Sequence, residues 1–309
     1  MKIIVLMSTY NGEKYLKQQL DSILNQNVEN DVELQILVRD DGSVDKTSYI
    51  LNCYEKKGKV VWYSGRNIKP AKSFWNLLFN AEEADYYAFA DQDDVWFPDK
   101  ISRAIRCLES HKEEKIPLLY SGNYIATDKY LKPLVEEKND KEEAVEECVY
   151  AKALLYSQAP GCTFVFNDLA RREFQKYDIN VKFEVMHDWL AHKIVLIKGK
   201  MFYDYKPMMY YRQHENNVIG NQIHSYRSII KRVKRFISGD SVGVRSNSAK
   251  ALIDVYGKSM PKRKYYLTSL VADYNSSLNL KKKFISEKEF RNHNVKDVLL
   301  FILILWGKV

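Results

Sequence analysis

Between Ile3 and Ala90 the chain switches period again and again, and that alternation limits the folds open to it. Ile3–Met7, Glu33–Val38, Val60–Tyr63 and Tyr86–Ala90 are short apolar runs of strand length. Between them lie Glu13–Gln26, Lys46–Lys56 and Pro70–Asn80. The first of these carries Tyr15, Leu16, Leu20, Ile23 and Leu24, a helical spacing. Strands separated by helices predict βαβ units and an α/β fold with a mostly parallel central sheet flanked by helices.

Each of three predicted strands runs into a polar turn: Ser8–Gly12, Asp40–Ser43 and Asp91–Asp94. Open α/β sheets bind ligands at the carboxyl ends of their strands. Three polar clusters on one sheet edge therefore mark that edge as the place to look for a site.

The later chain is less regular. Glu136–Glu147 reads as a solvated loop or helix face, and Pro160–Gly161 as a turn leading into a strand over Cys162–Phe166. Phe183–Ile197 reads as a helix, Lys200–Tyr205 and Met208–Arg212 as strands. After Asn217 the pattern turns helical and basic, which sets a boundary near residue 220 and two units, 1–220 and a helical basic extension, 221–309. In the extension, Tyr226–Ile237 separates apolar from basic residues, as an ordinary surface helix or a membrane-surface helix does. Val298–Trp306 is apolar but shorter than the roughly 20 residues a bilayer-spanning helix needs.

A net charge of +8 admits nucleic acid, an anionic membrane surface or a polyanionic substrate as partner. The 4 cysteines form no C-x-x-C pair, so a zinc knuckle is not expected. Scattered single thiols fit a reducing compartment and a cytoplasmic location. The opening MKIIVLMSTYNG turns polar by Ser8, too soon for a signal peptide.

Four clusters can carry chemistry. Asp91 and Asp93, at i and i+2 in a turn, can face one hard cation such as Mg²⁺ or Mn²⁺. Alone, such a pair is more often a solvated turn or a helix cap. Asp40–Asp41–Gly42–Ser43 offers a carboxylate to a base N–H, or simply caps the next helix. In His187–Asp188–Trp189, a carboxylate at a helix start beside an aromatic can act as general base, or be only a cap. In Tyr211–Arg212–Gln213–His214, Arg212 can contact a diphosphate and His214 a metal or phosphate; each is equally an ordinary surface residue.

Taken together, MSTYNGEKYL, RDDGSVDKT, FADQDDVWFPDK, MHDW and YRQHENNVIG resemble, in order, the motifs of the family 2 glycosyltransferases of GT-A fold, from Met1 to about Gly220. The resemblance implies that residues 1–220 form the catalytic domain and that a nucleotide-diphosphate sugar is the donor. Thr9, Tyr10 and Asn11 would surround the nucleoside, with Asp41 at the base and Lys72 near the ribose or phosphates. Glu13, Asp91 and Gln92 join the donor-binding set; Asp93, Asp91 and His214 would hold Mg²⁺ or Mn²⁺; Arg212 would close over the diphosphate. Asp188 would deprotonate the acceptor hydroxyl in an inverting single displacement. FADQDD, PAKSF, HDW and YRQH most resemble bacterial rhamnosyltransferases of capsule and cell-wall polysaccharide assembly, which use dTDP-L-rhamnose; related enzymes use UDP-hexoses. Leu190 stands where a second aromatic is expected, which bears on acceptor contacts.

The partners implied are that donor and a saccharide or lipid-linked acceptor, not nucleic acid. Peripheral membrane contact through the tail and a homodimer are both compatible with this reading. Two other classes compete. A nucleotidyltransferase-like enzyme would carry a glycine-rich basic first loop, whereas MSTYNGEKYL has one glycine and no arginine. A non-enzymatic binder of anionic surfaces gives no reason for acidic clusters at strand ends.

Overall fold

The computed structural model describes residues 1–134, 144–177, 186–214, 243–291 and 304. The predicted alternation is present: β1 (Lys2–Thr9), α1 (Leu16–Leu24), β2 (Glu33–Asp40), α2 (Thr47–Glu55), β3 (Val61–Ser64), α3 (Lys69–Asn80) and β4 (Tyr86–Asp91). β1 is buried on both faces, as a parallel strand covered by helices must be. Its alternate side chains divide the interior: Ile4 and Leu6 join one apolar cluster, Ile3, Val5 and Met7 the other.

After β4 come β5 (Val95–Trp96), α4 (Lys100–Glu109), β6 (Leu118–Gly122), β7 (Ile125–Thr127), β8 (Val145–Glu147), α5 (Tyr150–Leu155), β9 (Val165–Asn167), α6 (Asp168–Phe174), α7 (His187–Lys198), β10 (Lys200–Asp204) and β11 (Met209–Arg212). The main sheet runs β3-β2-β1-β4-β9-β6-β10-β8, and a small sheet β5-β11-β7. β3, β2, β1 and β4 pair in parallel. β9 runs antiparallel to both β4 and β6.

Two readings of the later chain are corrected. Cys162 does not begin a strand: Gly161–Thr163 is a single 3₁₀ turn and the strand starts at Val165. The end of the acidic stretch, read as a loop or helix face, is the exposed edge strand β8, paired antiparallel to β10. Pairing with Phe202–Asp204 outweighs the low strand propensity of its glutamates.

Beyond residue 243 the helices Val244–Tyr256, Lys262–Asp273 and Leu278–Ser286 pack on the α7 side of the sheet. Leu252, Leu267, Val271 and Phe284 share one apolar cluster with Leu6, Phe89 and Ile194. Tyr150 and Thr268 hydrogen-bond at 2.7 Å, and Lys264 donates to the carbonyls of Leu196 and Ile197. The boundary near 220, the segment 226–237 and all of 298–306 except the buried Ile304 lie outside the described residues. Among the described residues no helix is long and apolar enough to cross a membrane.

Candidate active site

Strand register gathers the first polar clusters. Thr9 pairs with Asp40 across β1 and β2, and Ser8 with Asp91 across β1 and β4. Because β9 is antiparallel to β4, its leading turn Gly161–Thr163 arrives at the same edge, where Phe89 N–H donates to Phe164 O.

The loop after β1 is laced to its neighbours. Buried Thr9 donates through its hydroxyl to Gln92 Oε1, which also accepts from Tyr10 N–H at 2.9 Å. Asn11 sits at φ 49°, a left-handed conformation asparagine tolerates, and its Oδ1 accepts from Val44 N–H. Glu13 turns to α2, where its carboxylate accepts from Lys46 N–H. A side chain at Gly12 would place its Cβ 2.4 Å from Gln92 Oε1 and 2.8 Å from Thr9 Oγ1, and would push Gln92 off the hydrogen bonds that close this loop.

Asp41 is occupied. Its buried carboxylate pairs with buried Arg39 and accepts from Ile68 N–H at 2.9 Å and Lys69 N–H at 3.0 Å. The base contact expected of it competes with three donors already in place. Lys72, half-buried in the first turn of α3, has no hydrogen-bond or ion-pair partner among the described residues.

The acidic turn after β4 has three different carboxylates. Asp93 is partly exposed, and its Oδ2 lies 2.7 Å from His214 Nε2. Asp94 is buried; one oxygen accepts from Arg212 N–H and the other has no hydrogen-bond partner among the described residues. Burial, then the charges of Asp93 and Asp91, push its carboxyl well above the carboxylate range. Asp91, half-buried, is raised to about 7 by burial first, then by the negative charges of Asp93 and Asp188. Asp188 therefore shares an electrostatic environment with the acidic turn although α7 begins almost a hundred residues later. Asp91, Asp94 and Cys162 bring potential ligand atoms within 4.8 Å of one another.

Arg212 is not open to a diphosphate in the way its sequence suggests. Its Nε donates to Asp93 O, Nη1 to Lys129 O and Nη2 to Gln18 Oε1, and the guanidinium lies 4.4 Å over the Tyr15 ring. Tyr15 also stacks on His214 at 5.1 Å. The arginine thus braces the corner that holds Asp93 and His214.

Asp188 is buried in the first turn of α7; its Oδ2 accepts from Gly161 N–H at 3.3 Å and its Oδ1 from Trp189 N–H at 2.8 Å. His187 stacks on Phe74 at 4.1 Å, with neither ring nitrogen hydrogen-bonded among the described residues. Burial lowers it to about 4, partly opposed by Asp188. His192 Nδ1 lies 2.6 Å from Asp188 O and fixes the helix turn that carries the carboxylate.

Several of these contributors went unread in the sequence. Tyr15, Gln18 and Gln19 of the first helical segment face the site; Gln19 Nε2 donates to Asp91 O at 2.9 Å. A buried glutamine inside an amphipathic helix was the available signal. Lys100, fully buried at the head of α4, gave none. Burial pulls its amine down to about 7, partly opposed by Cys162, Asp94 and Asp91 beside it.

Asp93 and His214 bring a carboxylate oxygen and an imidazole nitrogen together, donors that suit Mg²⁺ or Mn²⁺ when water and substrate phosphate complete the shell. Asp91 clusters with Asp94 and Cys162 instead, so among the described residues the three expected metal ligands do not converge on one point.

A sequence model of the family described as Glycosyl transferase family 2 matches residues 4–144. The dTDP-rhamnosyl transferase RfbG of Shigella flexneri is 34% identical over 74% of this chain and 78% of its own. Two solved structures share the fold. The crystal structure of S. aureus TarS 1-349 in complex with UDP-GlcNAc gives a TM-score of 0.62 at 17% identity, covering 99% of this chain and 80% of that one. The mannosyltransferase PcManGT from Pyrobaculum calidifontis in complex with GDP-Man and Mn²⁺ gives 0.51 at 14% identity, covering 99% and 88%.

Proposed function

The chain belongs to glycosyltransferase family 2, and on that premise we propose that it moves L-rhamnose from dTDP-L-rhamnose onto a saccharide or lipid-linked saccharide in bacterial surface polysaccharide synthesis. The observation that carries the reading is Asp188 facing the turn that also bounds Asp91, so that a base and an acidic metal corner open on one sheet edge. The rhamnosyl donor is supported by the RfbG relative. A UDP-hexose donor is the second reading, supported by the bound UDP-GlcNAc of the TarS structure.

In this mechanism the Ser8–Gly12 loop and the Asp40–Ser43 turn wall the nucleoside, with Thr9, Tyr10, Asn11 and Glu13 on one side and Asp41 beneath. Gln92 locks that loop to the acidic turn. Lys72, with its amine free among the described residues, approaches the ribose or phosphates. Asp93 and His214 would hold Mg²⁺ or Mn²⁺, which when bound supplies positive charge against the departing diphosphate. Arg212 keeps Asp93 and Asp94 in place. Asp188 takes the acceptor proton as the acceptor oxygen attacks the anomeric carbon, and the bond to the diphosphate breaks with inversion. The location that goes with this reading is the cytoplasm, with peripheral contact at the inner face of the cell membrane through the basic segment Tyr226–Ile237 as one role for the tail and packing on the core, as Ile304 does, as the other.

The test is a thermal-shift screen of dTDP-rhamnose, UDP-glucose, UDP-galactose and UDP-N-acetyl sugars with Mg²⁺ or Mn²⁺, since bound donor stabilises the fold by mass action. dTDP-rhamnose should give the largest shift. A larger shift with any UDP-sugar replaces the donor; no shift with any of them removes the proposal.

A further inference from the structure

Lys100 has no part in the mechanism above, yet its side chain is fully enclosed beside the site. Its Nζ donates to Cys162 O at 2.6 Å, lies 3.5 Å over the Trp96 ring and touches Met209 Sδ at 3.8 Å. Trp96 and Met209 pair across β5 and β11 of the small sheet. A lysine amine carried fully out of water is costly unless its donors are used and negative charge lies near. Here the Cys162 carbonyl takes the hydrogen bond and the Trp96 ring face receives the ammonium.

That carbonyl belongs to the turn that holds Asp188. The turn opens at Gly161, whose N–H donates to Asp188 Oδ2. A Cβ on Gly161 would stand 2.6 Å from His187 Nε2 and 3.0 Å from Asp188 Cβ. The turn is therefore pressed against the start of α7 on one side and tied by Lys100 on the other. No other side-chain cation among the described residues bonds to this turn.

We propose that Lys100 is a positioning residue for sugar transfer: by fixing the Gly161–Thr163 turn it sets the Asp188 carboxylate against the acidic corner at Asp91 and Asp93. The inference rests on the assignment of Asp188 as base. Lys100 touches neither donor nor acceptor; its hydrogen bond to the site goes to the backbone of this one turn. Its loss should slow the step that needs Asp188 in register and leave donor binding alone, because among the described residues neither the Ser8–Gly12 loop nor the Asp93–His214 pair hydrogen-bonds to it.

The experiment compares wild type with Lys100→Met, which keeps the packing against Trp96 and Met209, and Lys100→Gln, which returns a hydrogen-bond donor. Gly161→Ala, which disturbs the same turn from its other end, guards against Lys100→Met failing to fold. Each protein is assayed for kcat and donor KM, and for the thermal shift given by Mg²⁺ with the nucleotide-sugar that wild type turns over. Lys100→Met should lose on the order of 10²-fold in kcat, the scale of an ångström's misplacement, with donor KM and thermal shift near wild type. Lys100→Gln should recover part of the loss, and Gly161→Ala should show the same split. A folded Lys100 variant at wild-type kcat overturns the inference, as does a Gly161→Ala or Lys100→Gln protein whose donor KM rises as far as its kcat falls. Wild type that turns over no nucleotide-sugar overturns the transferase reading, and this inference with it.

Discussion

Asp93 and His214, 121 residues apart in the chain, meet at 2.7 Å between Oδ2 and Nε2. Neither comes from an element that touches the other in sequence: Asp93 follows β4 and His214 follows β11 of the second sheet. Tyr15, just before α1, stacks on the histidine and carries Arg212, so three separate segments converge on one pair.

Removing either member should remove metal-dependent turnover without unfolding the chain. Asp93→Ala and His214→Ala should each retain the wild-type circular dichroism spectrum and lose on the order of 10²- to 10³-fold in activity, the range for deleting one electrostatic stabiliser of a transition state. Titration with Mn²⁺ checks it; a variant with wild-type response to metal would disprove the assignment.

Asp188→Asn is nearly isosteric and keeps an acceptor for Gly161 N–H, so folding and donor binding should persist. Turnover should fall by about 10²- to 10⁴-fold, the contribution of a positioned general base. Measuring kcat beside the donor's thermal shift separates the two, and unimpaired turnover would rule the base out.

The Arg39–Asp41 pair predicts a stability effect. Both side chains are buried, and Arg39 also reaches Ser73 Oγ and Arg66 O. Arg39→Met leaves Asp41 charged and enclosed, which should cost about 3–5 kcal/mol. Urea denaturation measures this; a loss below about 1 kcal/mol would mean that the amides of Ile68 and Lys69 already satisfy the carboxylate.

Acid should destabilise the fold through two enclosed imidazoles. Burial first lowers both His187 and His192 to about 4, against an ordinary value near 6.5. The folded state binds fewer protons than the unfolded one between those values, so stability falls as pH drops from about 6.5 to about 4. His192→Gln should flatten that limb of a melting-temperature series, and an unchanged slope would exclude His192 as a source.

The βαβ half was legible because its signals are local. Periodicity marked β1 to β4, and Thr9, Asp40 and Asp91 follow once strand ends are aligned. Asp188 and His214 came from motif resemblance, and the structure places both by the acidic turn. What was not legible depends on contacts between distant segments. The reversed β9 has no periodic signature that distinguishes it from a parallel strand, yet only its direction delivers Gly161 to Asp188. Arg212 looked like a phosphate clamp because a free guanidinium suits one; Gln18, Lys129 and the Asp93 carbonyl claim its donors instead. Nothing in the residues around Lys100 announces that its amine ends inside the protein.

The bracing of Arg212 and His214 by Tyr15 and Gln18 also fixes when the catalytic corner can exist. On the ribosome the first helix emerges early, but its companions are not synthesised until residue 214 of 309. A nascent chain stalled before that point has its Ser8–Gly12 loop and its acidic turn but lacks the imidazole. The corner thus closes late in biosynthesis, and premature termination yields a protein whose Asp93 has no imidazole beside it.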